Sequence, residues 1–282
     1  MLTRGRAPRP ERPGPGRDPY ASRSATAHRP GRRRGSVSTL VALRRTGSSP
    51  PLFVVCAGHG DVLAVAHLAR LLDDEQPCYA LQAPLDLDLP RAELFNALLN
   101  RYLADIASVA PAGPLVLAGN SCGGYLALEL ARRMRHDGPP PLVALLDTPC
   151  RITRVGYAAD RFGRWLARRA SFADRDGAPR WIRTAYAMWT DRGHEVHVRA
   201  TAGYRPAPYP GPLVLFRAQV WRLRGLTPSG VYVSARRWAS VARAGLGVVD
   251  VPGHHWSFLR EPRVRVLTDR LEAVLAGTEV PR

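Results

Sequence analysis

Lysine is absent from this sequence of 282 residues, so all 41 basic side chains are arginine, and the net charge is +18. Basicity carried by arginine alone, beside abundant alanine, proline and glycine, is typical of a GC-rich coding bias. The charge is also uneven: residues 1–50 carry a net +10, residues 51–150 a net −5 and residues 151–282 the remaining +13. Strong basicity would otherwise indicate a nucleic-acid partner. The arginine-only composition and the uneven distribution of the charge argue against a nucleic-acid partner here.

Further absences narrow the possible classes of protein. The four cysteines form no C-x-x-C pair and have no metal-ligand spacing with histidine, which predicts reduced, buried thiols and no metal site. The arginine-rich N-terminus has no apolar segment of the signal-peptide type, and no run of about 18 apolar residues occurs. We therefore expect a cytoplasmic protein without a membrane span.

Apolar strand patterns alternate with helical periodicity along most of the chain. Residues 1–36, rich in arginine and proline, predict a disordered tail, and residues 37–282 one domain. The predicted strands are 52–56, 78–81, 115–118, 142–146, 213–216, 231–233 and 246–251. The predicted helices are 62–72, 91–109, 121–135, 235–243 and 262–276. This alternation predicts an α/β fold, with a mostly parallel central sheet and helices on both faces. Residues 151–199 break the pattern and predict a helical lid insertion, with helices near 157–170 and 180–189.

A G-x-S-x-G pattern from Gly119 to Gly123, with Ser121 at its centre, carries the strongest functional signal. It lies between an apolar strand pattern and an amphipathic helix pattern, which is the context of a nucleophile elbow. Such a turn holds the serine clear of the sheet, at the N-terminus of the following helix. The flanking glycines permit the tight turn and the close approach of strand and helix. We predict Ser121 as a nucleophile, and the alternative is a structural Gly/Ser-rich connection.

A serine nucleophile needs a base and an acid that orients the base. His254 and His255 follow the last predicted strand after a Pro-Gly turn, at the edge where open α/β sheets place catalytic groups. Two adjacent histidines cannot both point into the site, so either is a candidate. His136 ends the nucleophile's own helix, and His194 and His197 lie among charges in the predicted insertion.

The acid follows by elimination. No Asp or Glu occurs between Glu195 and Asp250, so the strand at 213–216 has no acid after it. Asp147 directly follows the strand at 142–146, so its carboxylate emerges at the same sheet edge as the nucleophile. Asp250 is too close in sequence to the histidine pair. We therefore predict Asp147, and the alternative is an aspartate that caps a turn.

Two backbone N–H groups are expected to form the oxyanion hole of such a site. One belongs to Cys122, directly after the nucleophile. The other is expected from the glycine-rich loop at 56–60, and within it from Gly58. The thiol of Cys122 is not predicted as the nucleophile, because the motif is centred on Ser121.

From about residue 41 to residue 275, the sequence resembles the thioesterase domains of nonribosomal peptide and polyketide synthetases, in the α/β-hydrolase superfamily. The matching stretches are 51–55, 79–84, 113–119, 145–147, 204–206, 210–212 and 251–256. The resemblance implies a catalytic triad of Ser121, Asp147 and His255. The family's histidine ends a V-P-G-x-H pattern followed by an aromatic residue, and this selects His255 over His254. The resemblance also implies an α/β-hydrolase fold whose insertion is a lid over an acyl channel.

The resemblance further implies the release of acyl, peptidyl or polyketide chains from an acyl or peptidyl carrier protein, by hydrolysis or cyclisation, in secondary-metabolite biosynthesis. The phosphopantetheine arm that holds the acyl group belongs to the carrier protein, so the chain is expected to bind no cofactor of its own. We expect a monomer. Two alternatives are a carboxylesterase of small esters and a catalytically silent carrier-binding module.

Overall fold

The computed structural model describes residues 38–56, 62–87, 89–110, 113–134, 138–150, 162, 192–219, 233–255 and 257–277. The predicted tail at 1–36 and the predicted helices at 157–170 and 180–189 fall outside these residues, apart from residue 162. In the described part of the chain, no helix has the length and apolar character needed to cross a membrane.

One mostly parallel sheet forms the centre of the described structure. Its strands are β1 (Leu40–Arg44), β2 (Leu52–Val55), β3 (Cys78–Leu81), β4 (Val116–Asn120), β5 (Leu142–Leu146), β6 (Leu213–Ala218) and β7 (Leu246–Val251). Their order in the sheet is β1-β3-β2-β4-β5-β6-β7. All neighbouring pairs are parallel except β1 with β3, which is antiparallel. The parallel strands therefore bring their carboxyl ends to one edge.

Helices cover both faces of this sheet. They are α1 (Val62–Leu71), α2 (Arg91–Val109), α3 (Gly123–Arg133), α4 (Arg192–Thr201), α5 (Ala235–Ala239) and α6 (Arg263–Leu275). Helices α1 and α6 pack together in one apolar cluster, and α2, α3, α4 and α5 contribute to a second cluster. The prediction of a mostly parallel sheet with helices on both faces is confirmed.

The sequence of the central strands explains the two clusters. All four residues of β2 are buried, and they alternate between the clusters: Leu52 and Val54 in one, Phe53 and Val55 in the other. This alternation follows from the two-residue period of side chains along a strand. Because both faces are covered, the strand is apolar at every position, as parallel strands commonly are.

Several element boundaries differ from the prediction. The half-buried edge strand β1 was not predicted, although four of its five residues are apolar, and its antiparallel pairing with β3 is a long-range contact that the local sequence does not show. The strand predicted at 231–233 is wrong at Val233, which lies outside any strand, and its other two residues fall outside the described part. Helix α5 ends at Ala239, earlier than predicted, where Ser240 takes the C-cap position.

Part of the predicted lid insertion, residues 192–199, lies in a helix that the structure describes, and the bounds of the insertion stay a prediction. Residues 192–201 form α4, whose Val196 and Val198 belong to the same buried cluster as α2 and α3. His197 in this helix is fully buried, and its Nε2 lies 2.7 Å from the hydroxyl of Tyr102 in α2. This helix was not among those predicted for the insertion, and its three consecutive residues 196–198 are all buried. The rest of the predicted insertion falls outside the described residues, apart from Phe162.

Candidate active site

Ser121 lies in a sharp turn between β4 and α3. Its φ of +52° is in the left-handed region, which non-glycine residues rarely adopt and which costs on the order of 1–3 kcal/mol. Its own N–H donates to the carbonyl of Leu146 at 2.9 Å, and its carbonyl accepts from Gly124 at 3.1 Å. The turn is therefore held by the neighbouring strand and by the first turn of α3.

The glycines beside Ser121 are required by close backbone approach. A Cβ at Gly119 would lie 2.4 Å from the carbonyl group of Gly123. A Cβ at Gly123 would lie 2.7 Å from the carbonyl oxygen of Val55, at the end of β2. Real Cβ atoms do not approach other atoms so closely. Strand, helix and the neighbouring strand can meet at this point only because these positions lack side chains.

Asp147 follows β5 and is fully buried. It too has a left-handed backbone conformation, with a φ of +49°. Its N–H donates to the carbonyl of Phe216 at 2.7 Å, and its Oδ1 accepts from the N–H of Ala218 at 2.9 Å. Its second oxygen, Oδ2, lies 2.7 Å from Nδ1 of His255. Each carboxylate oxygen thus has one hydrogen-bond partner, and the carboxylate is fixed from two directions.

His255 completes a chain of hydrogen bonds from Asp147 to Ser121. Its Nε2 lies 3.1 Å from the Oγ of Ser121, and its side chain is 11% exposed. An ionised Asp147 can only accept, so Nδ1–H of His255 donates to it. Nε2 then carries a lone pair and accepts from the hydroxyl of Ser121. This tautomer is assigned from the hydrogen-bond network. The arrangement poises the imidazole to take the serine proton.

His254 points elsewhere, although it is adjacent in sequence. Its side chain is exposed. Its backbone N–H donates to the Oγ of Ser257 at 3.0 Å, and its carbonyl accepts from the N–H of Ser257 at 2.8 Å, which closes the turn. Partial burial is the main cause that lowers the pKa of His254, and the nearby positive charge of Arg263 adds to it. Of the two candidates that the sequence left open, His255 is the one within reach of Ser121.

The rejected candidates lie away from this chain of hydrogen bonds. His197 is buried against Tyr102, and the carboxylate of Asp250 pairs with Arg217 at 2.8 Å. The predicted oxyanion residue Gly58 falls outside the described residues, so its role stays a prediction. Cys122 is buried and takes the N-cap position of α3, and the role of its amide also stays a prediction. His136 and the side chain of His194 fall outside the described part.

Sequence reasoning missed the group that holds the far side of Asp147. This is the backbone N–H of Ala218, at the end of the neighbouring strand β6. The residue type does not show which backbone amide donates to Asp147. Only the order of the strands in the sheet could have identified Ala218. The four cysteines are buried, as predicted. In the described residues, no group of three or more His, Cys, Asp or Glu could hold a metal ion.

Comparison with known proteins finds a family model that matches part of the chain, and several relatives. Residues 50–161 match the model of the thioesterase domain family. The protein named inactive atromentin synthetase invA6, from Paxillus involutus, is 26% identical over 274 residues, which cover 83% of this chain and 28% of that protein. This chain therefore spans less than a third of the length of that curated relative.

Solved structures give the same fold. A four-domain nonribosomal peptide synthetase, bound to AMP and glycine, matches with a TM-score of 0.63 at 20% identity, over 84% of this chain and 20% of that one. The NocB thioesterase domain, in covalent complex with a fluorophosphonate nocardicin G analogue, matches with a TM-score of 0.61 at 22% identity, over 84% of this chain and 100% of that domain. Over the matched residues, the chain shares the α/β-hydrolase fold of these structures.

Proposed function

We propose that this chain, a relative of the thioesterase domains of nonribosomal peptide synthetases, is a serine hydrolase that releases acyl or peptidyl chains from a carrier protein. The observation that carries the proposal is the chain of hydrogen bonds from Asp147 through His255 to Ser121, with lengths of 2.7 and 3.1 Å. It lies at the carboxyl edge of the sheet, where such folds carry their chemistry.

The proposed reaction begins at Ser121. Neutral His255 takes the hydroxyl proton as Oγ attacks the thioester carbonyl, and Asp147 stabilises the imidazolium that forms. The backbone amides of Cys122 and Gly58 are the proposed donors to the oxyanion. The C–S bond then breaks, His255 returns the proton to the leaving thiolate, and an acyl-Ser121 ester remains. Water, or a hydroxyl or amine of the acyl chain, attacks this ester with His255 again as base.

The proposed substrate is a thioester on the phosphopantetheine arm of an acyl or peptidyl carrier protein. The arm belongs to the carrier, so the reaction requires no cofactor bound to this chain. Carrier proteins of this kind are usually acidic, and residues 151–282 carry a net charge of +13. Charge complementarity of this kind raises the association rate and weakens as salt screens it. We expect the turnover of a carrier-bound acyl group to fall between 50 and 500 mM NaCl, and equal rates would contradict the pairing.

Matched substrates separate the thioesterase from the carboxylesterase alternative. One acyl chain is prepared as an N-acetylcysteamine thioester, as the corresponding oxygen ester and as a carrier-bound thioester. A thioesterase of this class is expected to give its highest kcat/KM on the carrier-bound form, and the Ser121→Ala variant to show no turnover of any. Faster turnover of the small oxygen ester would favour the carboxylesterase.

A catalytically silent carrier-binding module is the second candidate, because the relative invA6 is named inactive. The intact Ser121, His255 and Asp147 geometry argues against silence in this chain. A fluorophosphonate probe discriminates the two, since it forms a covalent adduct with an activated serine. We expect labelling of the wild type and none of Ser121→Ala. A carrier-binding wild type that resists the probe would favour the silent module.

A further inference from the structure

Thr148, directly after Asp147, connects the acid to the nucleophile elbow. Its side chain is fully buried, and its Oγ1 donates to the carbonyl of Gly119 at 3.2 Å. Its own carbonyl accepts from the indole Nε1–H of Trp238 at 2.9 Å. Trp238, in α5, is also fully buried. One residue thus joins the ends of β4 and β5 to a helix on the face of the sheet.

The side chain of Thr148 also packs against the first turn of α3. A Cβ at Gly124 would lie 2.1 Å from its Oγ1 and 2.7 Å from its Cγ2. Thr148 therefore occupies space that only a glycine at position 124 leaves open. Gly119 precedes Ser121 and Gly124 follows it, so Thr148 contacts both arms of the elbow.

The elbow needs such a support because of its backbone. Ser121 and Asp147 are the two non-glycine residues with positive φ among the described residues, at +52° and +49°. Conformations of this kind persist only where the surrounding structure holds them. The hydroxyl and methyl of Thr148 contact the glycines that flank the turn at Ser121. In the chain, Thr148 directly follows Asp147, which forms the other turn. The hydrogen bond from Trp238 to the carbonyl of Thr148 restrains the turn at Asp147.

We propose that Thr148 is a positioning residue, whose hydroxyl bond to Gly119 keeps the acid turn and the nucleophile turn in register for catalysis. Trp238 supports it by holding the carbonyl of the same residue. The inference rests on the proposed function, because the register matters only if His255 must bridge Asp147 and Ser121. The hydroxyl of Thr148 contacts no reacting atom, so the effect is on kcat and not on binding.

The test compares Thr148→Val with Thr148→Ser, using thiol release from an acyl-N-acetylcysteamine thioester. Valine keeps the shape of the side chain and removes the hydroxyl, whereas serine keeps the hydroxyl and removes the methyl. We expect a decrease in kcat of about tenfold for valine with KM unchanged, because the loss of one hydrogen bond displaces the catalytic groups by less than the 1 Å that costs about 100-fold. Serine is expected to retain kcat within about threefold. Trp238→Phe, which loses the donor but keeps a ring, is expected to behave like valine.

Thermal unfolding of the same variants separates positioning from folding. Serine leaves a cavity in the core, so it is expected to lower Tm at least as much as valine while keeping more activity. The proposal is overturned if kcat follows Tm across the variants, or if valine keeps the wild-type kcat. Failure of the proposed function has a different signature, since the wild type itself would then release no thiol and take no fluorophosphonate label.

Discussion

Adding one methyl group at Gly119 tests whether the geometry of the elbow controls the rate. In Gly119→Ala, the new Cβ would lie 2.4 Å from the carbonyl carbon and oxygen of Gly123, whereas ordinary contacts begin near 3.4 Å. The end of β4 and the start of α3 must therefore separate by about 1 Å. Ser121 lies between them, so its Oγ moves relative to the Nε2 of His255.

The size of the effect follows from that displacement. A misplacement of about 1 Å costs about 100-fold in rate, equivalent to about 2.7 kcal/mol in the activation free energy. Overpacking of this kind also lowers the free energy of unfolding by about 1–3 kcal/mol. For a domain of this size, each kcal/mol lowers Tm by about 2–4 °C. We therefore expect a folded variant with a lower Tm and a kcat reduced by about two orders of magnitude.

The assay is thiol release from an acyl thioester, measured beside thermal unfolding. Gly138→Ala is the matched control, because a Cβ at Gly138 has no neighbour within 4 Å and its φ is not positive. The control is expected to keep the wild-type kcat and Tm. If Gly119→Ala keeps kcat within about threefold while it remains folded, the claim that this close contact sets the position of Ser121 is refuted.

Three further predictions concern the triad, the neighbouring histidine and a buried thiol. Asp147→Asn is expected to lower kcat by about 10⁴, because an amide fails to hold the required tautomer of His255, while the amide oxygen still accepts from Ala218 and preserves the fold. A decrease of less than tenfold in kcat, measured by steady-state thiol release, would contradict the assignment of Asp147 as the acid of the triad. His254→Gln is expected to keep kcat within about threefold and His255→Gln to abolish it, and similar losses in both would contradict the geometry. Burial raises the pKa of the Cys78 thiol to about 12, so almost no thiolate exists at pH 8. Peptide mapping after treatment with Ellman's reagent should show Cys78 modified only in denaturant, and prompt modification of the native protein would be the contrary result.

The sequence predicted the central strands because their environment is uniform. Strands buried on both faces are apolar throughout, and β3 and β5 have the predicted bounds. The edge strand β7 also has its predicted bounds, although only alternate residues of it are buried. The edge strand β1 was missed although it is mostly apolar, because its place in the sheet depends on the long-range pairing with β3. Helix α4 was not predicted, because its charged residues interrupt the apolar pattern although Val196, His197 and Val198 are all buried. The resemblance to the thioesterase family is confirmed by the match at residues 50–161.

The candidate site was predictable to the level of residue types and their places at the ends of strands. The sequence alone identified a serine between glycines, an acid after the next strand and a histidine after the last strand. The choice between His254 and His255 came from the family pattern, since local sequence left both open. The support of Asp147 by Ala218, and the bonds of Thr148 to Gly119 and Trp238, depend on three-dimensional neighbours and leave no sequence signal.

Covalent acylation of Ser121 tests the central claim most directly. The wild type and Ser121→Ala are mixed with a slowly hydrolysed acyl thioester, and the intact protein mass is measured together with thiol release. The account predicts that the wild type gains the mass of one acyl group on Ser121 as thiol appears, and that the variant shows neither. Equal thiol release by both proteins, or no acyl adduct on the wild type even from a loaded carrier protein, would contradict it.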